Sequence, residues 1–303
     1  MENKMHKTKG LWLGFLAIAA LSCTAAGASE TDDFRQLVDD AWEFSLRENP
    51  LWATQTGDHR FNDRLPSEAL EDQVRRIAQQ QKFLKRYEQL DRAKIDTAEH
   101  VNFDIYGLQL RNRLAEAEFK MYLIPITNRW GFHIEFAELP KRVPLKTAQD
   151  YKNYIARLRQ FERYTDEHIE LMRAGIEEGY SLPAVVLEGF REAIDAHIVE
   201  DAKQSKLYAP FEKLPSTIAP QQRSLLRSAG EDAINESVVP GYKKFLAFMA
   251  EEYVPACRDA IGASALPDGR AFYRHQVKQF TTLDLSPRQV HDTGLSEVKR
   301  IIA

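Results

Sequence analysis

The chain has 303 residues, enough for one large domain or two ordinary ones at roughly 100 to 200 residues per domain. It is 44% hydrophobic and 28% charged with only 14 Gly and 13 Pro, which excludes disordered, collagen-like and low-complexity classes. Its 41 Lys and Arg against 45 Asp and Glu leave a net charge of −4, too balanced for the basic footprint that binding a phosphate backbone needs, so nucleic acid is not an expected partner.

The first asymmetry is N-terminal. Lys4, Lys7 and Lys9 precede an apolar run from Leu11 to Leu21, the layout of a secretory signal whose core is too short to span a bilayer. Ala26-Gly27-Ala28 fits cleavage after residue 28, while Leu21-Ser22-Cys23 resembles the end of a lipobox, with residues 1–22 removed and Cys23 lipidated. The expected location is outside the cytoplasm, periplasmic or lipid-anchored to the bacterial envelope, with membrane contact only through that anchor. Cys23 and Cys257 are the sole cysteines, so neither a disulfide framework nor a Cys-based zinc site is available.

From Thr31 onward apolar residues recur at three and four residue spacings with no sustained alternation, which predicts an all-α fold of long amphipathic helices over residues 29–303. Leu70, Val74, Ile77, Leu84, Tyr87 and Leu90 form one stripe of a helix between Ser67 and Leu90. The stretch from Met121 to Pro144, with Pro125, Gly131, Pro140 and Pro144 among aromatic residues, reads as an ordered apolar loop. Thr147 and Asp150 stand at capping spacing and open a helix expected to run about 30 residues, to Ile176. Pro183 opens a further helical stretch through Val186, Phe190, Ile194 and Ile198, and Lys206 to Pro220 reads as a loop. Another helix starts near Gln221 and meets Pro240 in mid-pattern, where a kink or break is expected. Ser286-Pro287-Arg288-Gln289 is a well-formed helix start, and its helix places Val290, Val298, Ile301 and Ile302 near one face.

The search for chemistry is largely negative. No His is followed directly by Glu, so no H-E-x-x-H motif exists, and there is no nucleophile elbow, Walker loop or dinucleotide fingerprint. His168 and His197 read as structural helix residues. His133, in the apolar loop, reads foremost as a hydrogen-bonded residue that orders it. Acidic pairs such as Asp32-Asp33 and Glu251-Glu252 read as solvated faces.

Several stretches, in order along the chain, resemble the bacterial domain of unknown function 885 family. They are Asn49-Pro50-Leu51-Trp52-Ala53-Thr54-Gln55-Thr56-Gly57-Asp58, Pro125-Ile126-Thr127-Asn128 with Gly131-Phe132-His133, Asp150-Tyr151 with Tyr154 and Arg157-Leu158, and Tyr208-Ala209-Pro210-Phe211. Val239-Pro240-Gly241-Tyr242, Glu252-Tyr253-Val254-Pro255, Phe272-Tyr273, Thr281 to Pro287 and Gly294 to Val298 continue the series.

The resemblance implies a metallopeptidase-like helical channel fold of which this chain is the N-terminal half, incomplete at the C-terminus. Zinc is implied for the full-length family through an H-E-x-x-P-G-H type motif, with no cofactor in this chain and a peptide as substrate. No catalytic or metal-binding residue carries over. Trp130, His133, Tyr273, Thr281 and Thr282 are the candidates to line the channel, and a missing C-terminal half, or a partner, is expected to cover Val298, Ile301 and Ile302. The main expectation is therefore a non-catalytic fragment of an exported metallopeptidase-like hydrolase. The alternative is a stand-alone helical periplasmic or lipoprotein binding or scaffold module.

Overall fold

The computed structural model describes residues 29–127 and 129–303, so the signal region, including Cys23, and Asn128 lie outside the described residues. Helix α1 (Glu30–Glu48) starts at Ser29, whose side chain accepts from the Asp32 backbone amide while Asp32 returns the bond, a reciprocal cap. Asn49 then caps the short α2 (Pro50–Gln55) through the Trp52 amide. Helices α1, α3 (Leu70–Glu88) and α4 (His100–Glu118) enclose a first core of Phe34, Leu37, Phe44, Phe83, Tyr87 and Phe103, in which Tyr87 stacks on Phe103 at 4.3 Å. The stripe expected on α3 is only partly the buried one. Leu70 and Val74 are exposed, because the first turns of that helix face a polar network in which Arg76 meets Glu48 and Glu68, and Phe83 carries the burial instead.

The larger core lies between α6 (Ala148–Arg159), α7 (Phe161–Glu178), α10 (Pro220–Ala233) and α11 (Val239–Phe248), with α5 (Phe132–Ala137), α8 (Phe190–Asp195) and α9 (Ala209–Glu212) closing its sides. Tyr154, Phe161, Phe211, Tyr242 and Phe245 fill it with 2% exposure or less, and the buried phenols keep partners: Tyr154 donates to the Leu207 carbonyl at 2.7 Å and Tyr242 to that of His133 at 2.7 Å. Gly175 on α7 is a point of close approach. A Cβ there would stand 2.8 Å from the carbonyl oxygens of Leu123 and Tyr180, which lets the 121–123 turn lie directly on the helix. Among the described residues there is no strand, only the isolated bridges Ile126 to Gly131 and Pro183 to Arg258.

Four expectations are modified by the structure. The helix after Thr147 is two helices, because Gln160 turns its side chain to the backbone of residues 63–65 and its own amide closes a tighter turn on Arg157. The stretch after Pro183 is a 3-10 turn (184–187) and the short α8, separated by Gly189 in the left-handed region at φ 79°. Conversely, Lys206 to Glu212 is a 3-10 turn running into α9 and not a loop. Pro240 neither breaks nor ends its helix. A π-helical turn at residues 234–238 precedes it, and the wider turn absorbs the missing amide donor.

Helix α12 (Gly269–Thr281) lies against α4, with Phe272 edge-on to Phe119 at 5.5 Å. Helix α13 (Pro287–Ile302) has the reciprocal Ser286–Gln289 cap expected for it, packs beside α12 and buries none of its residues. Val298, Ile301 and Ile302 are exposed on it.

The central core holds histidines at their neutral form. Burial pushes His133 and His168 down from the ordinary 6.5 to about 4, and lowers His197, which stacks on Tyr242 at 4.6 Å. The unfolded chain takes up a proton at each as pH falls through about 6.5 and the folded chain does not, so stability present above pH 6.5 is lost as pH falls toward 4. We expect roughly 3 kcal/mol of loss from each of His133 and His168 over that window. Urea midpoints measured from pH 8 to 4 check this, and a His133→Gln/His168→Gln pair should flatten the dependence.

Candidate functional site

The segment from Phe61 to Glu68 has little regular structure, yet it is pinned along its length by one face of α6 and α7. Arg157 is fully buried, and its Nε donates to the Arg64 carbonyl at 2.9 Å. Its Nη2 donates to the carbonyls of Pro50 (3.0 Å) and Phe61 (3.2 Å) and to Thr54 Oγ1 (2.7 Å). One turn on, Gln160 donates to the Asp63 carbonyl at 2.7 Å and accepts from the Leu65 amide at 3.0 Å. Arg163 then donates to the Pro66 carbonyl at 3.2 Å, and Glu167 accepts from the Glu68 amide at 2.8 Å. These four side chains satisfy backbone groups that a helix or sheet would otherwise have satisfied.

The seam fixes one wall of a cavity of about 510 Å³ lying between α2, the 121–130 segment, α5, α6 and α7. Trp52, Tyr122 and Trp130 stand around it, with Leu51, Phe136 and Val143 as further apolar lining. Trp52 is held edge-on by Trp42 at 4.8 Å. Trp130 is half exposed and its position is set by Thr127, whose Oγ1 accepts from the Trp130 amide at 3.0 Å. Glu68, Glu135, Arg142, Arg157, Tyr164 and His168 supply the polar lining.

The electrostatics of that lining are largely balanced. Burial raises the Glu68 carboxyl above the ordinary carboxylate range, against the pull of Arg76 at 3.2 Å and a hydrogen bond from Gln73. Glu135 lies 3.6 Å from Arg142. His168 donates from Nδ1 to the Tyr164 carbonyl at 2.7 Å, which leaves Nε2 as the acceptor of a neutral ring. Burial raises the Tyr164 phenol, reinforced by Glu68, Glu135 and Glu167, so it stays protonated. Burial lowers Arg157 to about 10, and it remains a cation at neutral pH.

The residues expected to line one channel are not brought together. Trp130 lines the cavity. His133 is buried beside it, packed on Phe132 and Phe245, with Nδ1 unpartnered; its order comes from packing and from its carbonyl. Tyr273 lines a separate hollow between α12 and the start of α13, with Arg270 and Arg274. Thr281 donates to the Val277 carbonyl and Thr282 ends α12 in the left-handed region at φ 58°, so both sit at a helix terminus. Sequence reading missed Arg157, Glu68, Trp52 and Tyr164. Trp52 and Arg157 stood within the stretches of family resemblance, and Arg157 is also a charge three residues after Tyr154 and four before Phe161 on an otherwise apolar face.

The family model described as "Bacterial protein of unknown function (DUF885)" matches residues 50–303. The chain belongs to this family. That match runs over essentially all of the given residues, so the reading of the chain as an N-terminal fragment is corrected to a family match along its length, and the expected missing half or partner over Val298, Ile301 and Ile302 is not carried forward. The exposure of those three residues stands as an observation.

No curated protein matches the chain. A crystal structure of a candidate lipoprotein from Colwellia psychrerythraea is similar to it, with a TM-score of 0.79 at 20% identity over 89% of this chain, which shows a shared fold. The chain spans half the length of that protein. The metallopeptidase-like and hydrolase readings are also corrected. Among the described residues no group of three or more His, Cys, Asp or Glu could hold a metal ion. Nor is any helix among them long and apolar enough to cross a membrane.

The Arg157 seam predicts a stability phenotype. Arg157→Lys keeps a charge but loses the planar fork that reaches four acceptors, and should cost about 2 to 4 kcal/mol in urea unfolding. Arg64→Ala removes only an exposed side chain that pairs with exposed Asp63 and lies over Phe61, leaves the backbone bonds of the seam in place, and should change stability by about 1 kcal/mol or less.

Proposed function

We propose that this protein is a helical binding module of the bacterial envelope, exported by its N-terminal signal, that holds a small ligand in the cavity between α2, α5, α6 and α7. The observation that carries this reading is the cavity itself, in the size range of small-molecule sites, with aromatic residues around it and a few convergent polar groups. One of its walls is held by side chain to backbone bonds from Arg157, Gln160 and Arg163, which supports a wall formed before any ligand binds. The candidate lipoprotein of similar fold and the Lys4 to Ala28 signal region support the envelope location.

Trp52 and Trp130 make the reading measurable. A panel of small aromatic and aliphatic amides, acids and amines at millimolar concentration should include members that shift both tryptophan emission and the thermal midpoint. Val143→Phe, which fills the cavity, should abolish both responses, and Trp130→Ala should weaken binding by about fivefold or more. A panel with no member that moves either signal, or one whose hits bind Val143→Phe unchanged, would sink the assignment.

A further inference from the structure

We propose that the hollow between α12 and the start of α13 is an anion site that takes the phosphate of a small phosphate monoester on Arg270 and Arg274. It is separate from the cavity beside α6 and does not rest on the reading given to that cavity. The hollow has a volume of about 540 Å³ and is lined by the 262–264 turn, by Arg270, Tyr273 and Arg274 of α12, and by Ser286 and Pro287 at the start of α13. Arg270 and Arg274 both line it and both are exposed, so an anion entering from solvent can reach each of them.

The two cations stand one helical turn apart, at i and i+4, where like charges repel. Among the described residues neither makes an ion pair, and no carboxylate lines the hollow. The arginines nearest in the chain are engaged. Arg258 donates to the carbonyls of Ser181, Ala260 and Gly262, which ties down the turn that forms one wall, and Arg288 pairs with Asp292 at 3.1 Å. In the cavity beside α6, by contrast, Arg142 has Glu135. The start of α13 borders the hollow as well, and the N-terminal end of a helix adds potential of the same sign.

These features select a doubly charged anion. A phosphate monoester carries about 1.5 to 2 negative charges at neutral pH and three acceptor oxygens, enough to meet a fork from each guanidinium. A carboxylate or a sulfate ester brings one charge and leaves part of the repulsion in place. Tyr273, half exposed in the same lining, offers a ring to the body of the ester. Two sources supply this chemistry, a soluble phosphate ester and the headgroup of phosphatidate.

Calorimetric titration of the whole chain at neutral pH and low ionic strength is the test. Phenyl phosphate should bind at least about fivefold more tightly than phenyl sulfate, which has nearly the same shape and a single charge. Arg270→Gln and Arg274→Gln should each weaken phenyl phosphate by about tenfold. Both replace exposed side chains without an ion-pair partner, so the thermal midpoint should stay where it is. Lys299→Gln, which removes an exposed cation near the other end of α13, and Val143→Phe in the cavity beside α6 should leave the affinity unchanged. Binding of phenyl phosphate supports a soluble ester as the source. Binding confined to phosphatidylcholine vesicles carrying phosphatidate, with the same loss in the two arginine variants, supports a headgroup. Failure of both probes to bind, equal affinity for phosphate and sulfate, no loss in Arg270→Gln and Arg274→Gln, or an equal loss in Lys299→Gln overturns the proposal. Loss of binding in Val143→Phe also overturns it, by placing the ester in the cavity beside α6.

Discussion

The architecture around the cavity depends on one requirement, that the backbone of residues 61–68 be satisfied without secondary structure of its own. An unpaired buried amide or carbonyl costs about 1 to 3 kcal/mol, and this segment runs against the largest core of the molecule. The answer is a row of side chains at Arg157, Gln160, Arg163 and Glu167, spaced so that they share one face across the junction of α6 and α7. The same row explains why those two helices are not one. Gln160 gives its side chain to the segment, and the turn tightens at that residue.

A consequence of this seam is that α2 and the 61–68 segment are joined to the central helices by polar bonds as well as by the packing of Leu51 and Leu65 on the larger core. The two main cores are distinct, and the cavity is bordered by Phe132, Phe136, Leu139 and Tyr164 of the larger one and by Tyr122, Ile124 and Leu171 of a smaller apolar cluster. Aromatic residues from both sides, Trp52 from α2 and Trp130 and Tyr122 from the segment before α5, stand around it. Buried, uncharged His168 and Tyr164 form part of its inner lining, and their neutrality follows chiefly from burial, with Glu68, Glu135 and Glu167 adding to it at Tyr164.

Family membership and fold are settled by different observations from function. The stretches that carry the resemblance, around Pro50 to Asp58 and Arg157-Leu158, meet in space at the guanidinium clamp, so they describe how this fold is held together. A shared fold at 20% identity does not transfer an activity, because function resides in a site and not in an architecture. For this chain the reading therefore comes from the cavity. Metal chemistry lacks a donor set among the described residues, whereas a preformed hollow with mixed lining is present.

The sequence by itself determined the all-α class, the caps at Thr147 and Ser286 and the absence of recognisable catalytic motifs, because each depends on residues within a turn or two of one another. Trp130 enters only through the family resemblance, as one of several candidates to line a channel. Tertiary structure alone decided which stripes are buried, as Leu70 and Val74 show, and how Pro240 is accommodated by a π-helical turn. It alone assembled the cavity, whose lining runs from Asn49 to Leu171, because spacing along the chain carries no information about contacts made across a hundred residues. Arg157 shows the division most clearly. Its place on an apolar face was legible, but the carbonyls that occupy three of its nitrogens' possible directions, and the nitrogen left without a partner, exist only in the folded molecule.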